Sequence, residues 1–326
     1  MMYDYISWGG QDSILNFSVT TDIQNVSYGV SVLGDYIYAA SWAGSLRRFN
    51  YASEEENWEV VPLPMDNQDT SLCGQIDESI YQINPVGNYV DNHDCGYEFD
   101  NHKVFSVFSD QDTLWVGTAN GINKGVVNSN SCIDWEHYKA DEAGFYDDWV
   151  IGFEQQTLED GITNRIWAIT WDREYAGSHE FYGGPPSYTD DGGDTWHISE
   201  ELDLKNLLTY NISSTSDKVY VSSDQGLFFT TNYSDVNLWD ELILTSDITT
   251  QSIFDAEYLG NDLFIGTGQG ICIYDGDSFV CESSKSDISN SFYAYPNPFN
   301  FDETNQLTFV YNGDEGNLDG IIEIYD

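Results

Sequence analysis

Apolar residues in this chain come in short runs that end at a glycine or another small residue, and no stretch sustains apolar positions at helical spacing. One pattern recurs. Leu114-Trp115-Val116-Gly117-Thr118-Ala119-Asn120-Gly121-Ile122 and Leu263-Phe264-Ile265-Gly266-Thr267-Gly268-Gln269-Gly270-Ile271 nearly superimpose, and Val219-Tyr220-Val221-Ser222-Ser223-Asp224-Gln225-Gly226-Leu227 follows the same template. Ile37-Tyr38-Ala39-Ala40-Ser41-Trp42-Ala43-Gly44-Ser45-Leu46 fits with one inserted residue, and Phe181-Tyr182-Gly183-Gly184 reads as a degenerate fifth copy. Each copy is an apolar strand, a small residue, a polar turn and a second strand opened by glycine.

Another short apolar strand precedes each copy, for example Phe105-Ser106-Val107-Phe108, Ile166-Trp167-Ala168-Ile169 or Ile253-Phe254-Asp255-Ala256. Most copies are followed by a strand pair bearing Trp58, Trp135, Trp196, Trp239 or Phe279. A repeating unit of about four strands is one blade of a β-propeller. The predicted fold is therefore all-β: a propeller over residues 1–288, six to eight blades when complete, followed by the first strands of an Ig-like β-sandwich over 289–326. Copies starting at 37, 114, 219 and 263 lie 77, 105 and 44 residues apart, so inserted loops are expected near 62–103 and 139–162.

Three resemblances refine this expectation. The repeat cores, with Gly161-Ile162-Thr163-Asn164-Arg165-Ile166-Trp167-Ala168-Ile169, resemble the two-component regulator propeller repeat. Thr189-Asp190-Asp191-Gly192-Gly193-Asp194-Thr195-Trp196 matches every fixed position of the Asp-box (BNR repeat) of sialidase-like propellers. That likeness implies a structural turn at the blade periphery, with Thr189, Asp191, Gly193, Thr195 and Trp196 as its members. Tyr295-Pro296-Asn297-Pro298-Phe299-Asn300 resembles the opening of the type IX secretion sorting domain, which is related to the FlgD-like Ig-like fold. It implies the type IX secretion machinery as a partner and the extracellular side or outer-membrane surface of a Gram-negative bacterium as the location. The start, Met1-Met2-Tyr3-Asp4-Tyr5, has neither a basic n-region nor an apolar h-region, so a signal peptide is expected to be missing by truncation.

Charge narrows the partners. With 10 Lys+Arg against 56 Asp+Glu, a net charge of −46 repels nucleic-acid backbones and anionic membrane surfaces. Basic proteins, neutral glycans and cations remain compatible, as does a halophilic or marine setting in which screening limits self-repulsion. No apolar run is long enough to span a bilayer. Calcium is the metal to expect, as a structural ion, because hard oxygen ligands cluster at Asp110-Gln111-Asp112 and Asp190–Asp194, although neither segment is an EF-hand loop. No other cofactor is expected, and His93, His102, His137, His179 and His197 lack zinc spacing.

The five cysteines allow two disulfides. A two-residue turn at Gly276-Asp277 sets Cys272 opposite Cys281 as a non-hydrogen-bonded pair, the cross-strand position where a disulfide fits. Cys73 and Cys95 bracket the first expected insertion and are the second expected pair, which leaves Cys132 over.

Sialidase chemistry needs an arginine cluster, yet the chain has only Arg47, Arg48, Arg165 and Arg173, and the family's Arg-Ile-Pro motif is missing. The expectation is a secreted or cell-surface binding or scaffold module without catalytic residues. One alternative is a glycoside hydrolase using two channel-mouth carboxylates. Another is the extracellular sensor propeller of a two-component regulator, against which the sorting motif argues.

Overall fold

In the computed structural model of the chain, residues 4–10, 12–16, 26–42, 44–53, 57–76, 100–161, 164–172, 183–199, 207–231, 238–244, 250–283, 291–295 and 308–312 are described. Strands β1 (Asp4–Trp8) and β2 (Asp12–Asn16) form a hairpin. Its Trp8 and Ile14 enter the core shared by the first two blades.

Five antiparallel blades follow. The first contains β3 (Ser27–Leu33), β4 (Tyr36–Ser41), β5 (Ser45–Asn50) and β6 (Trp58–Val60). Strand β7 (Thr70–Ser71) joins the second as a fifth, outer strand beside β8 (Val104–Asp110), β9 (Thr113–Thr118), β10 (Gly121–Val127) and β11 (Ile133–Tyr138). The third comprises β12 (Trp149–Thr157), β13 (Asn164–Trp171), β14 (Ser187–Thr189) and β15 (His197–Ile198). The fourth has β16 (Thr209–Ser214), β17 (Val219–Ser223), β18 (Gly226–Thr230) and β19 (Asp240–Leu242), and the fifth β20 (Ile253–Leu259), β21 (Asp262–Thr267), β22 (Gly270–Tyr274) and β23 (Phe279–Ser283). Strands β24 (Ser291–Tyr295) and β25 (Thr308–Asn312) pair with each other, and with no further strand among the described residues. A short helix, Ala140–Ala143, precedes the third blade.

The first strands pack on one another in the order β3, β8, β12, β16, β20, so they form the inner wall of the arc. Between them side chains bond across, and among the described residues neighbouring blades share no backbone ladder. Ser31 Oγ meets Ser109 Oγ at 2.8 Å between β3 and β8. Ser106 donates to the Val150 carbonyl at 3.2 Å between β8 and β12. Gln156 donates to the Thr215 carbonyl at 2.9 Å at the third junction, and Ser213 to the Ala256 carbonyl at the fourth. Away from the wall, apolar side chains stack blade on blade: Tyr38, Leu46, Val60, Leu114 and Val116 join the first two blades, and Tyr220, Leu227, Leu263, Ile265 and Cys272 the last two.

The third blade departs from the sequence expectation. Residues 149–157, placed in an inserted loop, are its first strand, and Ile166–Ile169, placed in a first strand, belong to its second. The proposed copy at Phe181–Gly184 is not a blade core. Gly183 makes an isolated bridge to Trp171, 181–182 lie outside the described residues, and a Cβ on Gly184 would come within 2.0 Å of the Tyr146 ring. That pair of glycines serves close packing, which imitates the repeat in composition only.

Cysteine pairing differs as well. Cys272 is bonded to Cys281 across β22 and β23, with Cα atoms 4.0 Å apart. Cys73, expected to pair with Cys95, is instead bonded to Cys132, with Cα atoms 6.1 Å apart. The cause is β7: its pairing with β11 brings the following residues to the outer edge of the second blade, beside the turn that carries Cys132. Cys95 lies outside the described residues, as does 296–300 of the sorting motif.

Candidate functional site

The Asp-box is a closed hydrogen-bonded turn between β14 and β15. Thr189 Oγ1 donates to Asp191 Oδ1 at 2.8 Å and accepts the Gly193 amide at 2.9 Å, while Asp191 Oδ1 accepts the Thr195 amide at 2.9 Å. The Thr195 hydroxyl also donates to Asp191 Oδ2, and the hydrogen bonds to Asp191, led by this one, hold its carboxyl down to about 2. Gly193 has φ +99°, and a Cβ there would strike the Trp115 ring at 2.7 Å. Trp196 is buried edge-on against Trp115 at 6.2 Å and Phe145 at 5.8 Å, so the turn plugs the seam between the second and third blades. Asp190 holds Arg165 bidentately at 2.7 and 2.8 Å. An open cavity of ≈ 490 Å³ beside this turn is lined by Asp110, Trp115, Lys124 and Asp190.

The three described arginines do not converge. Arg47 Nε donates to the Gly44 carbonyl at 2.7 Å, Arg48 pairs with Glu59 at 3.1 Å and lies 4.0 Å from the Trp8 ring centre, and Arg165 is held by Asp190. Arg173 lies outside the described residues. Among the described residues no group of three or more His, Cys, Asp or Glu side chains is placed to hold a metal ion. Asp190 and Asp191 direct their oxygens to Arg165 and to the Asp-box turn.

Midway along the inner wall sits a carboxylate that the sequence did not single out. Glu154, on β12, accepts a 2.7 Å hydrogen bond from Ser214 on β16. Burial pushes its carboxyl up to about 7 against the Ser214 bonds, and the negative charge of Glu257 adds to the rise. Glu257, on β20, is itself raised by burial and by Asp255, and Asp255 accepts a hydrogen bond from Asn211 on β16. With 56 acidic residues and residue 154 placed in a presumed insertion, composition carried no signal for this position. The usable signal was the alternation of Phe153, Glu154, Gln155 and Gln156 within a strand. Beyond Glu154, the ends of β12 and β16 border an open groove of ≈ 610 Å³ lined by Gln155, Thr157, Glu159, Ser214 and Ser216.

At the other end of the same wall every inner strand is bulged. The ladder shifts at Tyr28, Phe105, Ile151, Tyr210 and Phe254, one residue per blade at equivalent positions. Phe105 meets Tyr28 at 6.2 Å, Trp42 at 5.1 Å and Trp149 at 5.5 Å between ring centres, and Tyr210 meets Phe254 at 5.2 Å. The second-to-third-strand turns share this rim, since the start of each first strand pairs with the end of the second.

No protein-family profile and no curated protein matches the sequence. Solved structures do match in fold. The extracellular domain of BT4673 from B. thetaiotaomicron, described as a hybrid two-component system, aligns at TM-score 0.52 and 14% identity over 85% of this chain and 30% of that one. The corresponding domain of BT3049 from the same organism aligns at TM-score 0.51 and 14% identity over 84% and 31%. YCF48 bound to D1 peptide aligns at TM-score 0.51 and 14% identity over 87% and 76%. The chain thus spans about 30% of the length of the two bacterial domains. No helix among the described residues is long and apolar enough to cross a membrane. What the chain shares with these structures is the fold, an all-β propeller assembled from antiparallel blades.

Proposed function

We propose that the chain is an extracellular recognition propeller without catalytic activity, which takes its ligand on the inner wall of the blades and at its rims. One observation carries this reading: polar side chains of the wall bond across blade junctions. Glu154 is tied to Ser214 and Asp255 to Asn211, so two of the wall's carboxylates act as links between blades. The likeness to extracellular domains of two-component systems supports an extracellular location, and with it the sensor alternative. Export by type IX secretion rests on the Tyr295–Asn300 motif; a strain lacking that machinery is expected to retain the protein inside the cell.

The glycoside hydrolase reading draws on the Glu154 carboxyl, which at about 7 suits a general acid. Incubating the protein with a polysaccharide panel and assaying reducing ends tests both readings. No release is expected. Hydrolysis that disappears in Glu154→Gln would replace recognition with catalysis.

A further inference from the structure

A β-bulge leaves its residue out of the ladder and re-aims the side chain. Four of the five bulged residues are aromatic: Tyr28, Phe105, Tyr210 and Phe254, with Ile151 the exception. These rings meet one another across blade junctions at the rim, apart from the apolar cores that stack the blades through residues such as Leu114 and Val116 on β9 or Leu263 and Ile265 on β21. Tyr28 and Phe254 remain 56% and 49% exposed. Trp42 and Trp149, 5.7 Å apart, extend the row beside Phe105.

Carboxylates interleave with these rings. Asp255 follows Phe254 directly, and Asp224 lies close enough to Tyr210 to add to the rise that burial causes in its phenol. Asp147 accepts the Trp149 amide at 3.3 Å. The rim also contains one example of the arrangement such a surface favours: the Lys103 ammonium lies 5.3 Å from the Trp42 ring centre while bonded to Asp100. An ammonium over an aromatic face is attracted by the ring quadrupole, and a carboxylate beside it adds a Coulombic partner. A neutral sugar would use the rings and leave the surrounding negative field unused, and an anionic ligand would be repelled by a chain of net charge −46.

We propose that this rim binds an extended polypeptide segment rich in lysine, whose ammonium groups rest on the bulged rings between the flanking carboxylates. The proposal deepens the recognition reading above and rests on it.

Labelled decalysine, fully acetylated decalysine and cellohexaose, titrated against the whole chain and followed by anisotropy or calorimetry, test the assignment. The Tyr28→Ala/Phe254→Ala double variant removes the two most exposed bulged rings and leaves net charge unchanged, so polyelectrolyte attraction alone would survive it. Tyr28→Leu/Phe254→Leu keeps apolar bulk without a π face and serves if the alanine variant unfolds. Decalysine binding is expected to weaken by about tenfold or more in either folded variant. It is also expected to weaken with salt and to vanish on acetylation. Equal binding of decalysine to wild type and variants overturns the proposal. If cellohexaose binds in a ring-dependent way and decalysine does not, the ligand class is wrong while recognition at this rim stands. If neither probe binds, the assignment fails at the level of the site.

Discussion

The interior interfaces of the arc and its two end faces are built from the same repeat positions, yet their environments differ sharply. The apolar residue that opens the third strand is wholly buried as Leu46, Ile122 and Leu227, each 0% exposed, whereas its counterpart Ile271 is 44% exposed. The aromatic of the second strand is buried as Tyr38, Trp115, Trp167 and Tyr220, but Phe264 is only partly covered. At the other end Val30 and Val32, facing away from the second blade, are 65% and 55% exposed. Residue type in a repeat is therefore set by the unit, and its energetic weight by whether a neighbouring blade lies against it.

That contrast can be broken most strongly at the Asp-box seam. Trp196→Ala removes the buried plug between the second and third blades and is expected to cost about 3–5 kcal/mol in denaturant unfolding, coupled to loss of near-UV circular dichroism. Leu227→Ala, inside the core shared by the fourth and fifth blades, is expected to cost about 3 kcal/mol by the same measurement.

A pH series sharpens the comparison on the inner wall. The Glu154 carboxyl ionises at about 7 when folded and near 4.5 when exposed, so the unfolded chain releases this proton first. The contribution of Glu154 to stability is thus complete below about 4.5, declines as pH rises to about 7, and is flat above. Glu154→Gln is expected to flatten that segment of the stability profile, a relative gain of up to about 3 kcal/mol at pH 8. A profile identical to wild type would show that the wall is more hydrated than its burial indicates. The smallest effect belongs to the end face. Ile271→Ala is expected to cost under about 1 kcal/mol, and parity with Leu227→Ala would show that an additional surface covers the fifth blade in solution.

Much of this fold was legible beforehand because a propeller repeats its local physics. Leu114–Ile122 and Leu263–Ile271 form the predicted second strand, turn and third strand, and Gly276-Asp277 aligns Cys272 with Cys281 in the register that the turn dictates. The third blade resisted because its spacing is irregular: Trp171 and Ser187 are separated by a long connection, so a glycine pair looked like a strand end and a true first strand looked like an insertion. Cys73 and Cys95 bracket the expected insertion and so look like a staple for it in sequence, whereas the neighbour of Cys73 in space is Cys132.

Sequence alone determined the strand period, the turn chemistry of Thr189–Trp196 and the strong negative charge, since each depends on residues close along the chain or on composition. Only the tertiary structure decided which of many carboxylates lies half-buried on β12 against β16, that one bulge per blade gathers Tyr28, Phe105, Tyr210 and Phe254 at one rim, and which copies of the repeat face another blade. These properties arise from contacts between strands tens of residues apart, where desolvation and ring packing depend on the neighbour supplied by the fold.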